Sequence, residues 1–376
     1  MDERLFLVAS LTFLVTLILL LFLMPLACRI GLTDHPGGRK LHARPTPLVG
    51  GIGIYLGCAF AGLFMPVGLE RYLILLSAGG ILVLTGAVDD LLDLPVRLRM
   101  SLQILASMVM SLVAGVVLVN LGELVIPGWT LSLGMLAVPF TVFAAVGLIN
   151  AMNMSDGLDG LAGGLALISL TALMLIVIQA GADQYYIKLL PLMAAVSAFL
   201  VLNLRPRQPA LVFMGDAGSL FLGFTLCWFF IRFTQGPAPL MAPVTALWLV
   251  ALPLIDTLVI MARRIAKGRS PFAADREHLH HILLAAGFSP KAVLGIMLLL
   301  ATAAAGVGLF SHFLHAPDFV MFWGFMLCLG GYHLLISRAW RLKRFIGREL
   351  THAHQPRLLI PAEIVSPPGA GSQRGM

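Results

Sequence analysis

The sequence predicts an all-α polytopic membrane protein, and three observations support this fold class. Of the 376 residues, 59% are hydrophobic and only 11% are charged, whereas a soluble domain has about 25% charged residues. The apolar residues fall in runs of roughly 20, the length of a membrane-spanning helix. The strand-like alternation of a membrane β-barrel is absent. A chain of this kind satisfies its backbone hydrogen bonds inside the membrane by forming helices.

About eleven apolar runs are candidates for transmembrane helices. The first follows Asp2, Glu3 and Arg4 without a small-residue cleavage site, so we expect it to stay in the mature protein. We expect residues 1–340 to form one transmembrane domain and residues 341–376 to form a disordered basic tail that contains Pro and Gly. The four cysteines lack C-x-x-C spacing, which argues against a disulfide framework or a thiolate metal site. The runs cover approximately residues 5–27, 48–66, 71–88, 101–119, 132–151, 160–180, 186–203, 211–231, 240–262, 291–312 and 318–337.

The basic residues predict the orientation of the chain. Eleven spans place the two termini on opposite sides of the membrane. Twenty-one of the 25 Lys and Arg residues then lie on the side that holds the C-terminus, and the positive-inside rule makes that side cytoplasmic. We therefore expect a periplasmic or extracellular N-terminus, and we interpret the basic excess as an orientation signal without a nucleic-acid partner. The four exceptions on the outer side are Arg4, Arg71, Lys188 and Arg232.

The aspartates accumulate on the same predicted cytoplasmic side. Acidic residues do not follow the positive-inside rule, yet nine of the twelve aspartates fall there. This predicts a site on that face, built from several loops and helix ends. The nine are Asp34, Asp89, Asp90, Asp93, Asp156, Asp159, Asp216, Asp256 and Asp275.

The motif DDLLD lies at the end of the third apolar run. If the helix continues past Val88, Asp89 and Asp93 are i,i+4 neighbours, and Asp90 is i,i+3 from Asp93. Like charges at this spacing repel each other, and a hard divalent cation such as Mg²⁺ would relieve the repulsion. A solvated helix end, with Pro95 starting a turn, is the alternative interpretation.

Two further motifs combine acids with glycines. In NMSDGLDGLAGG, a helix would place Asn153, Asp156 and Asp159 in one polar stripe, although a simple helix cap at Ser155 or Asp156 is the alternative. In FMGDAGS, Asp216 stands between two glycines where an apolar run begins. Such a helix N-terminus suits phosphate, and a carboxylate there suits a cation that bridges to phosphate. A helix cap is again the alternative.

The longest cytoplasmic loop contains GRSPFAADREHLHH, with Arg269, His278, His280 and His281. Arginine binds phosphates bidentately. A zinc site is the rival for the histidines, but the surrounding chemistry is carboxylate and guanidinium rather than thiolate. Basic residues that flank a span would explain the arginines without the histidines.

A second basic loop, GRKLHARPTPLVGG, precedes the second apolar run. Lys40, His42 and Arg44 are its cationic or ionisable residues, and its prolines make it stiff. A phosphate-binding loop and a stiff linker with positive-inside residues are both open interpretations.

Taken together, the five motifs resemble those of the polyprenyl-phosphate N-acetylhexosamine-1-phosphate transferases, in the same order and spacing over roughly residues 30–290. The DREHLHH loop is similar to the branch of the undecaprenyl-phosphate N-acetylglucosaminyl 1-phosphate type, which starts O-antigen, common-antigen or teichoic acid linkage units. The phospho-muramoyl-pentapeptide transferases carry a histidine string that ends in His-Phe-Glu. Here His281 is followed by Ile282 and Leu283, which argues against that branch.

The resemblance implies transfer of a sugar 1-phosphate from a UDP-sugar to undecaprenyl phosphate, with release of UMP. It also implies Mg²⁺ as cofactor, with Mn²⁺ as a substitute, and a location in the bacterial inner membrane with the site facing the cytoplasm. N-acetylglucosamine is the expected sugar, and N-acetylgalactosamine, N-acetylfucosamine and N-acetylquinovosamine stay open. A homodimer and the downstream polymer are also left open.

The resemblance further implies roles for individual residues. Asp216 corresponds to the main Mg²⁺ ligand, and Asp89 and Asp90 complete or orient the metal-pyrophosphate centre. The implied catalytic set is Asp89, Asp90, Asp156, Asp159 and His278, with Asp216 and Asp90 at the metal. Asn153 and Asp156 correspond to contacts on the uridine side, with Phe213 stacking near the base, and His278, Arg269 and His281 to contacts with the diphosphate and sugar. Lys40 and His42 would meet the lipid phosphate or the uridine edge. The implied substrate-binding set is Lys40, His42, Asn153, Phe213, Arg269, His280 and His281.

Two alternatives accompany this interpretation. One is an enzyme of the phospho-muramoyl-pentapeptide transferase type. The other, from a different class, is a transporter whose acidic residues line a pathway. Transporter sites lie near the bilayer midplane on broken helices, whereas the acids here fall at the ends of apolar runs on one side.

Overall fold

The fold is almost entirely helical. The computed structural model describes residues 3–35, 45–65, 68–205, 208–268, 270 and 277–353, with residues 339–353 given by their backbone. The helices are α1 (Glu3–Ile30), α2 (Gly50–Gly62), α3 (Leu69–Leu92), α4 (Val96–Met108), α5 (Ala137–Met154), α6 (Leu161–Gln179), α7 (Tyr186–Asn203), α8 (Gly215–Thr234), α9 (Pro243–Leu249), α10 (Ala251–Ala266), α11 (Leu279–Ala285), α12 (Pro290–Phe313) and α13 (Asp318–Ala353).

Short elements complete the described chain. A π-helical turn, Val109–Val113, extends α4, and 3₁₀ turns at Gly134–Leu136 and Asp183–Tyr185 lead into α5 and α7. Strands β1 (Thr33–Asp34) and β2 (Thr46–Pro47) pair antiparallel. This two-residue ribbon fixes both ends of the segment that carries Lys40 and His42, which itself lies outside the described residues.

The helices confirm a multi-pass membrane protein. Within the described ranges, nine helices are long and apolar enough to cross a bilayer, and a bent pair, α9 with α10, makes a tenth candidate. The predicted run at 48–66 contains only the 13-residue helix α2, shorter than the roughly 20 residues of a full span. The count of eleven spans therefore stays a prediction, as does the orientation of the termini.

One predicted span is sharply broken. The run at 240–262 forms α9 and α10, which meet at an angle of 86° around Val250. The cause is Pro253, because a proline ring collides with the carbonyl four residues earlier, here Leu249, and offers no N–H to it. The hydroxyl of Ser169 donates to the Leu249 oxygen instead, at 2.8 Å. This tertiary contact stabilises the break, and the predicted run at 240–262 forms a bent pair of helices rather than one continuous helix.

Helix α8 is the centre of the bundle. Nearly all of its residues are buried, and it packs against α2, α3 and α5. The contacts with α2 and α3 are backbone against backbone: a side chain at Gly51 would overlap Gly218, and one at Gly86 would overlap Ala217. Small residues permit this close approach between membrane helices. The C-terminal end of α3 is therefore brought directly against the N-terminal end of α8.

The chain divides into two compact units, residues 1–333 and 334–376. All site residues described below belong to the first unit. The predicted division into a transmembrane domain of residues 1–340 and a tail of residues 341–376 stays a prediction, and residues 354–376 lie outside the described part of the chain.

The α3–α8 contact leads to a prediction about stability. Gly86→Ala introduces a methyl group that must displace the backbone of Ala217, and overpacking of this kind costs about 1–3 kcal/mol. The matched control is Gly147→Ala in α5, where an added methyl meets no atom within 4 Å and alanine is the better helix former. We expect thermal unfolding in detergent to shift to lower temperature for Gly86→Ala and to stay level or rise for Gly147→Ala. Equal melting temperatures would contradict the packing constraint.

Candidate active site

Three predicted carboxylates meet where α3 ends and α8 begins. Asp89 and Asp90 occupy the last turn of α3, and Asp216 is the second residue of α8. Both oxygens of Asp90 accept from the backbone N–H of Asp216, at 3.0 and 3.3 Å. The carboxylates of Asp89 and Asp216 also lie close enough to interact. Residues far apart in sequence therefore form a single acidic centre, as the motifs predicted.

Asp90 caps α8 from a different helix. The predicted alternative, in which Asp216 caps its own helix, is not found, because Met214 is the N-cap residue and makes no side-chain cap bond. The Asp90 carboxylate takes that role, and the positive end of the α8 dipole stabilises its charge. Gly215 has a φ of +70°, and a side chain there would overlap the Asp90 carboxylate. Only glycine satisfies both constraints at this position.

Asp89 is held by an arginine that the motif analysis did not assign. Arg99 Nη1 lies 2.6 Å from Asp89 Oδ2, and the Leu94 N–H donates to Asp89 Oδ1 at 2.7 Å. The same guanidinium nitrogen is 3.7 Å from Asp216 Oδ2. Arg99 reaches this place because the chain turns at Pro95 and α4 packs against α3. A positive charge of the protein thus offsets part of the repulsion that motivated the prediction of a cation.

Asp93 is separate from this centre. Helix α3 ends at Leu92, and Asp93 follows as an exposed C-cap residue in the left-handed conformation, with φ of 51°. The Asp93 N–H still donates to the Asp89 carbonyl at 2.9 Å. Because its backbone is left-handed, however, Asp93 does not continue the helix in which the sequence predicted an i,i+4 pair with Asp89.

Asn153 orients Asp216. Its amide nitrogen donates to Asp216 Oδ1 at 2.8 Å and to the Ser219 hydroxyl at 2.9 Å. Ser219 lies three residues after Asp216 on α8 and was not identified from the sequence. The predicted contact of Asn153 with uridine stays a prediction, and in the structure the amide nitrogen is engaged by the acidic centre.

The expected helical stripe of Asn153, Asp156 and Asp159 is wrong. Helix α5 ends at Met154, and Asp156 and Asp159 lie in a loop that leads to α6. Gly160, with φ of 78°, is the N-cap of α6 and no side chain caps that helix, so the predicted cap at Ser155 or Asp156 is also wrong. The turn into α6 requires a left-handed conformation at Gly160, which favours glycine.

The loop nevertheless brings Asp156 to the acidic centre. Burial, with the charges of Asp216 and Asp159, raises the pKa of Asp156 to about 8. Without a cation beside it, this carboxyl is largely protonated near neutral pH and can donate a hydrogen bond. Asp159 is exposed at the rim of the loop.

Asn203, at the end of α7, connects the two glycine-containing motifs. Its side-chain oxygen accepts from the Gly160 N–H at 2.6 Å, and its amide donates to the Val212 carbonyl at 2.8 Å. The Phe213 N–H then donates to the Pro47 carbonyl at 2.9 Å. Phe213 therefore lies next to the start of α2 and three residues before Asp216. Its stacking on a base stays a prediction.

The histidine segment is fixed by a buried aspartate on α10. His278 Nδ1 and Asp256 Oδ2 are 2.8 Å apart, and both side chains are buried. Asp256 Oδ1 also accepts from the Tyr332 hydroxyl and, at 3.3 Å, from the Leu279 N–H. With Nδ1 bound in this way, Nε2 is the ring nitrogen of His278 that remains for chemistry. Asp256 is the only acidic residue of the predicted run at 240–262, and an ionisable residue inside such a run is a functional signal in membrane proteins.

His280 joins this segment to the loop after α5. Its ring is buried, stacks on His278 at 5.8 Å and tilts against His281 at 4.1 Å. Burial and the two neighbouring histidines lower the pKa of His280 to about 3, so the ring is neutral and cannot attract phosphate by charge. Gly157 lies directly against its Nε2, where a side chain would collide. The two motifs therefore form one wall.

Acidic and basic residues near this wall are paired. Glu277 Oε1 lies 2.9 Å from Lys267 Nζ, and Glu277 Oε2 lies 3.3 Å from Arg263 Nη2. These contacts anchor the start of the histidine segment to the end of α10. Arg269, Lys40 and His42 lie outside the described residues, so their predicted contacts with substrate stay predictions.

The acidic centre fits a magnesium ion chemically. Asp89, Asp90 and Asp216 offer the carboxylate oxygens that this cation prefers, and the facing carboxylates of Asp89 and Asp216 repel without one. In the described part of the chain, no group of three or more His, Cys, Asp or Glu side chains is arranged to hold a metal ion by itself. Mg²⁺ does not need one, because it binds through one or two carboxylates together with waters and substrate phosphates.

Comparison with known proteins places this chain in a family. Residues 72–234 match the model for glycosyl transferase family 4. A protein of Yersinia pestis called undecaprenyl-phosphate alpha-N-acetylglucosaminyl 1-phosphate transferase is 39% identical over 338 residues, which cover 89% of this chain and 92% of the relative. The chain belongs to glycosyl transferase family 4. The family resemblance predicted from the five motifs is confirmed.

Other relatives carry the same name. The Escherichia coli K12 protein is 38% identical over 338 residues, or 89% of this chain and 92% of the relative. The Haemophilus influenzae protein is 36% identical over 341 residues, or 90% and 95%. As a member of this family the chain is a transferase, and its apolar helices make it a multi-pass membrane transferase.

The His278–Asp256 pair leads to a prediction for this transferase. Asp256→Asn replaces an oxygen that binds His278 Nδ1 with a group that can donate, which disfavours the ring orientation seen here. An aspartate at Nδ1 sets the tautomer and orientation of a histidine that acts through Nε2. We therefore expect turnover to fall about tenfold or more, with little change in substrate KM. Tyr332→Phe is the control, because it removes one bond to Asp256 and leaves the pair with His278. Wild-type turnover of Asp256→Asn, with intact folding, would exclude this positioning role.

Proposed function

We propose that this transferase moves N-acetylglucosamine 1-phosphate from UDP-N-acetylglucosamine to undecaprenyl phosphate and releases UMP. Two things support this: the shared name of the relatives over most of both chains, and the meeting of Asp90 with Asp216 where α3 and α8 adjoin. The second observation carries the proposal. It puts a group of carboxylates at the helix ends, where a soluble nucleotide sugar can reach a lipid phosphate.

The proposed location is the bacterial inner membrane, with the site on the cytoplasmic face and the N-terminus on the outer side. The charge distribution supports this orientation, since the predicted eleven-span topology assigns 21 of the 25 Lys and Arg residues to the cytoplasmic side, together with Asp89, Asp90 and Asp216. The nucleotide sugar is soluble, so the site must open to the compartment that supplies it. The acceptor is a lipid, so the site must also adjoin the bilayer.

The proposed reaction is a direct displacement. An oxygen of the lipid phosphate attacks the phosphorus that bears the sugar, the bond from this phosphorus to the bridging oxygen breaks, and UMP leaves with that oxygen. A phosphate monoester has a second pKa of about 6, so the lipid phosphate is largely a dianion near neutral pH. It therefore needs little help from a general base.

The residues of the acidic centre have separate tasks in this proposal. Asp216 and Asp90 would hold Mg²⁺, which, when bound, neutralises charge on the transferred phosphate and the leaving group. Asn153 and Ser219 orient Asp216, and Arg99 holds Asp89 in place. His278, oriented by Asp256, would donate from Nε2 to the diphosphate or the sugar.

A donor panel tests the proposed function. Purified protein, Mg²⁺ and undecaprenyl phosphate are combined with one UDP-N-acetylhexosamine at a time or with UDP-N-acetylmuramoyl pentapeptide, and UMP release is measured. We expect UDP-N-acetylglucosamine to be used best. Release from the muramoyl pentapeptide donor alone would indicate the other branch, and the absence of release from every donor would refute the transfer.

The metal role of Asp216 leads to a second prediction. Asp216→Asn keeps the shape of the side chain but removes the charge that binds Mg²⁺, so we expect near-complete loss of turnover and weaker thermal stabilisation by added Mg²⁺. Asp93→Asn is the control, because Asp93 is exposed and asparagine tolerates its left-handed conformation. Equal losses in both variants would show that the acids are wrongly ranked.

Direct displacement also predicts an isotope-exchange result. A covalent route would need Asp89 or Asp90 to attack the phosphorus, whereas in this proposal Asp89 is paired with Arg99 and Asp90 would hold Mg²⁺. We expect delipidated enzyme to exchange labelled UMP into the UDP-sugar only after undecaprenyl phosphate is added. Exchange without lipid that Asp89→Asn or Asp90→Asn abolishes would overturn direct displacement.

A further inference from the structure

A large cavity lies at the end of the bundle away from the acidic centre. It has a volume of about 1430 Å³ and is lined by the N-terminal ends of α1, α3 and α7 and the C-terminal ends of α6 and α8. Arg71 and Asp90 are 19 residues apart on α3, which corresponds to about 28 Å along the helix. That distance is close to the roughly 30 Å of a bilayer core, so the cavity and the acidic centre face opposite leaflets.

The four basic residues that the predicted topology assigns to the outer side line this cavity. They are Arg4, Arg71, Lys188 and Arg232, the same four that do not follow the positive-inside rule. They come from four different helices. Four cations scattered over a surface would not indicate a binding site. Their convergence on one cavity indicates that the cavity binds an anionic ligand.

Lys188, Arg232 and Arg71 bring like charges together in the cavity. Lys188 and Arg232 are half-buried, and Lys188 lies close enough to Arg232 and Arg71 for mutual repulsion. Lys188 Nζ also lies 5.6 Å from the centre of the Tyr185 ring, a weak cation–π contact. Among the lining residues that the structure describes, Asp183 is the single acid, and it is exposed at the rim. An anionic ligand would compensate the remaining positive charge.

The rest of the cavity wall is apolar. Trp228, Phe229 and Met174 form buried parts of it, and Leu7 and Ile178 are lining residues that are 57% and 54% exposed. A small soluble anion would gain nothing from such a wall. A lipid would gain from both parts, because its phosphate meets the cations and its chains cover the apolar side chains.

We propose that this cavity binds an anionic glycerophospholipid of the outer leaflet, with the phosphate between Lys188, Arg232 and Arg71 and the upper acyl chains along the apolar wall. Undecaprenyl phosphate shares the headgroup chemistry, but in the proposed reaction it is consumed at the opposite face. The site is thus distinct from the transferase centre. The proposal does not depend on which sugar the enzyme transfers.

Lipid binding to the purified full-length protein tests the proposal. Native mass spectrometry measures retention of phosphatidylglycerol against phosphatidylcholine, which has the same phosphate but no net charge. Each basic residue near an anionic lipid contributes about 1 kcal/mol, so we expect Lys188→Gln with Arg232→Gln to weaken phosphatidylglycerol binding about thirtyfold. Arg29→Gln with Lys291→Gln is the matched control, since it removes two charges outside the cavity, and we expect a change of less than about twofold.

A charge-conserving variant and competing ligands complete the test. Lys188→Arg with Arg232→Lys retains the charges and should retain binding even if the glutamine variant folds poorly. The proposal is overturned if wild-type protein binds phosphatidylcholine as tightly as phosphatidylglycerol, or if the folded glutamine variant binds like wild type. Displacement of phosphatidylglycerol by inorganic phosphate, or by an equal concentration of undecaprenyl phosphate, would assign the cavity to a different ligand.

Discussion

The backbone contact of α8 with α2 and α3 is the constraint on which the candidate active site depends. Helices with ordinary side chains pack with their axes 8–10 Å apart, whereas Gly51 and Gly86 leave no room for a methyl group against α8. This close approach places the carboxylate of Asp90 within reach of the Asp216 N–H. A wider spacing would leave α8 without its cap and the acidic residues without a common centre.

The acidic centre combines opposing electrostatic effects. The C-terminal end of α3 is the negative end of its dipole, so two aspartates there are unfavourable on their own. Arg99 and the N-terminal end of α8 offset this by binding one aspartate each. The offset is incomplete, because Asp89 and Asp216 still face each other. That residual negative charge is what a divalent cation with bound phosphates would neutralise.

The two ends of the bundle have opposite electrostatic character. The proposed cytoplasmic end presents carboxylates that need cations, and the other end presents a cavity with Lys188 and Arg232 that needs anions. Both features use the ends of the same two helices, since α3 and α8 each contribute an acid at one end and a base at the other. A long buried helix such as α8 therefore fixes two sites at a set separation across the membrane.

The helical membrane fold, the family and the acids of the candidate site could be predicted from the sequence, because hydrophobic run length and motif order can be read along the chain. It did not reveal the break at Val250, the loop at Asp156 or the partners Arg99 and Asp256. These depend on which carbonyl is freed by Pro253, on how closely glycines let helices approach, and on which charges then become neighbours. These contacts are visible only in the tertiary structure, because they bring together residues that no helical or strand periodicity of the sequence relates.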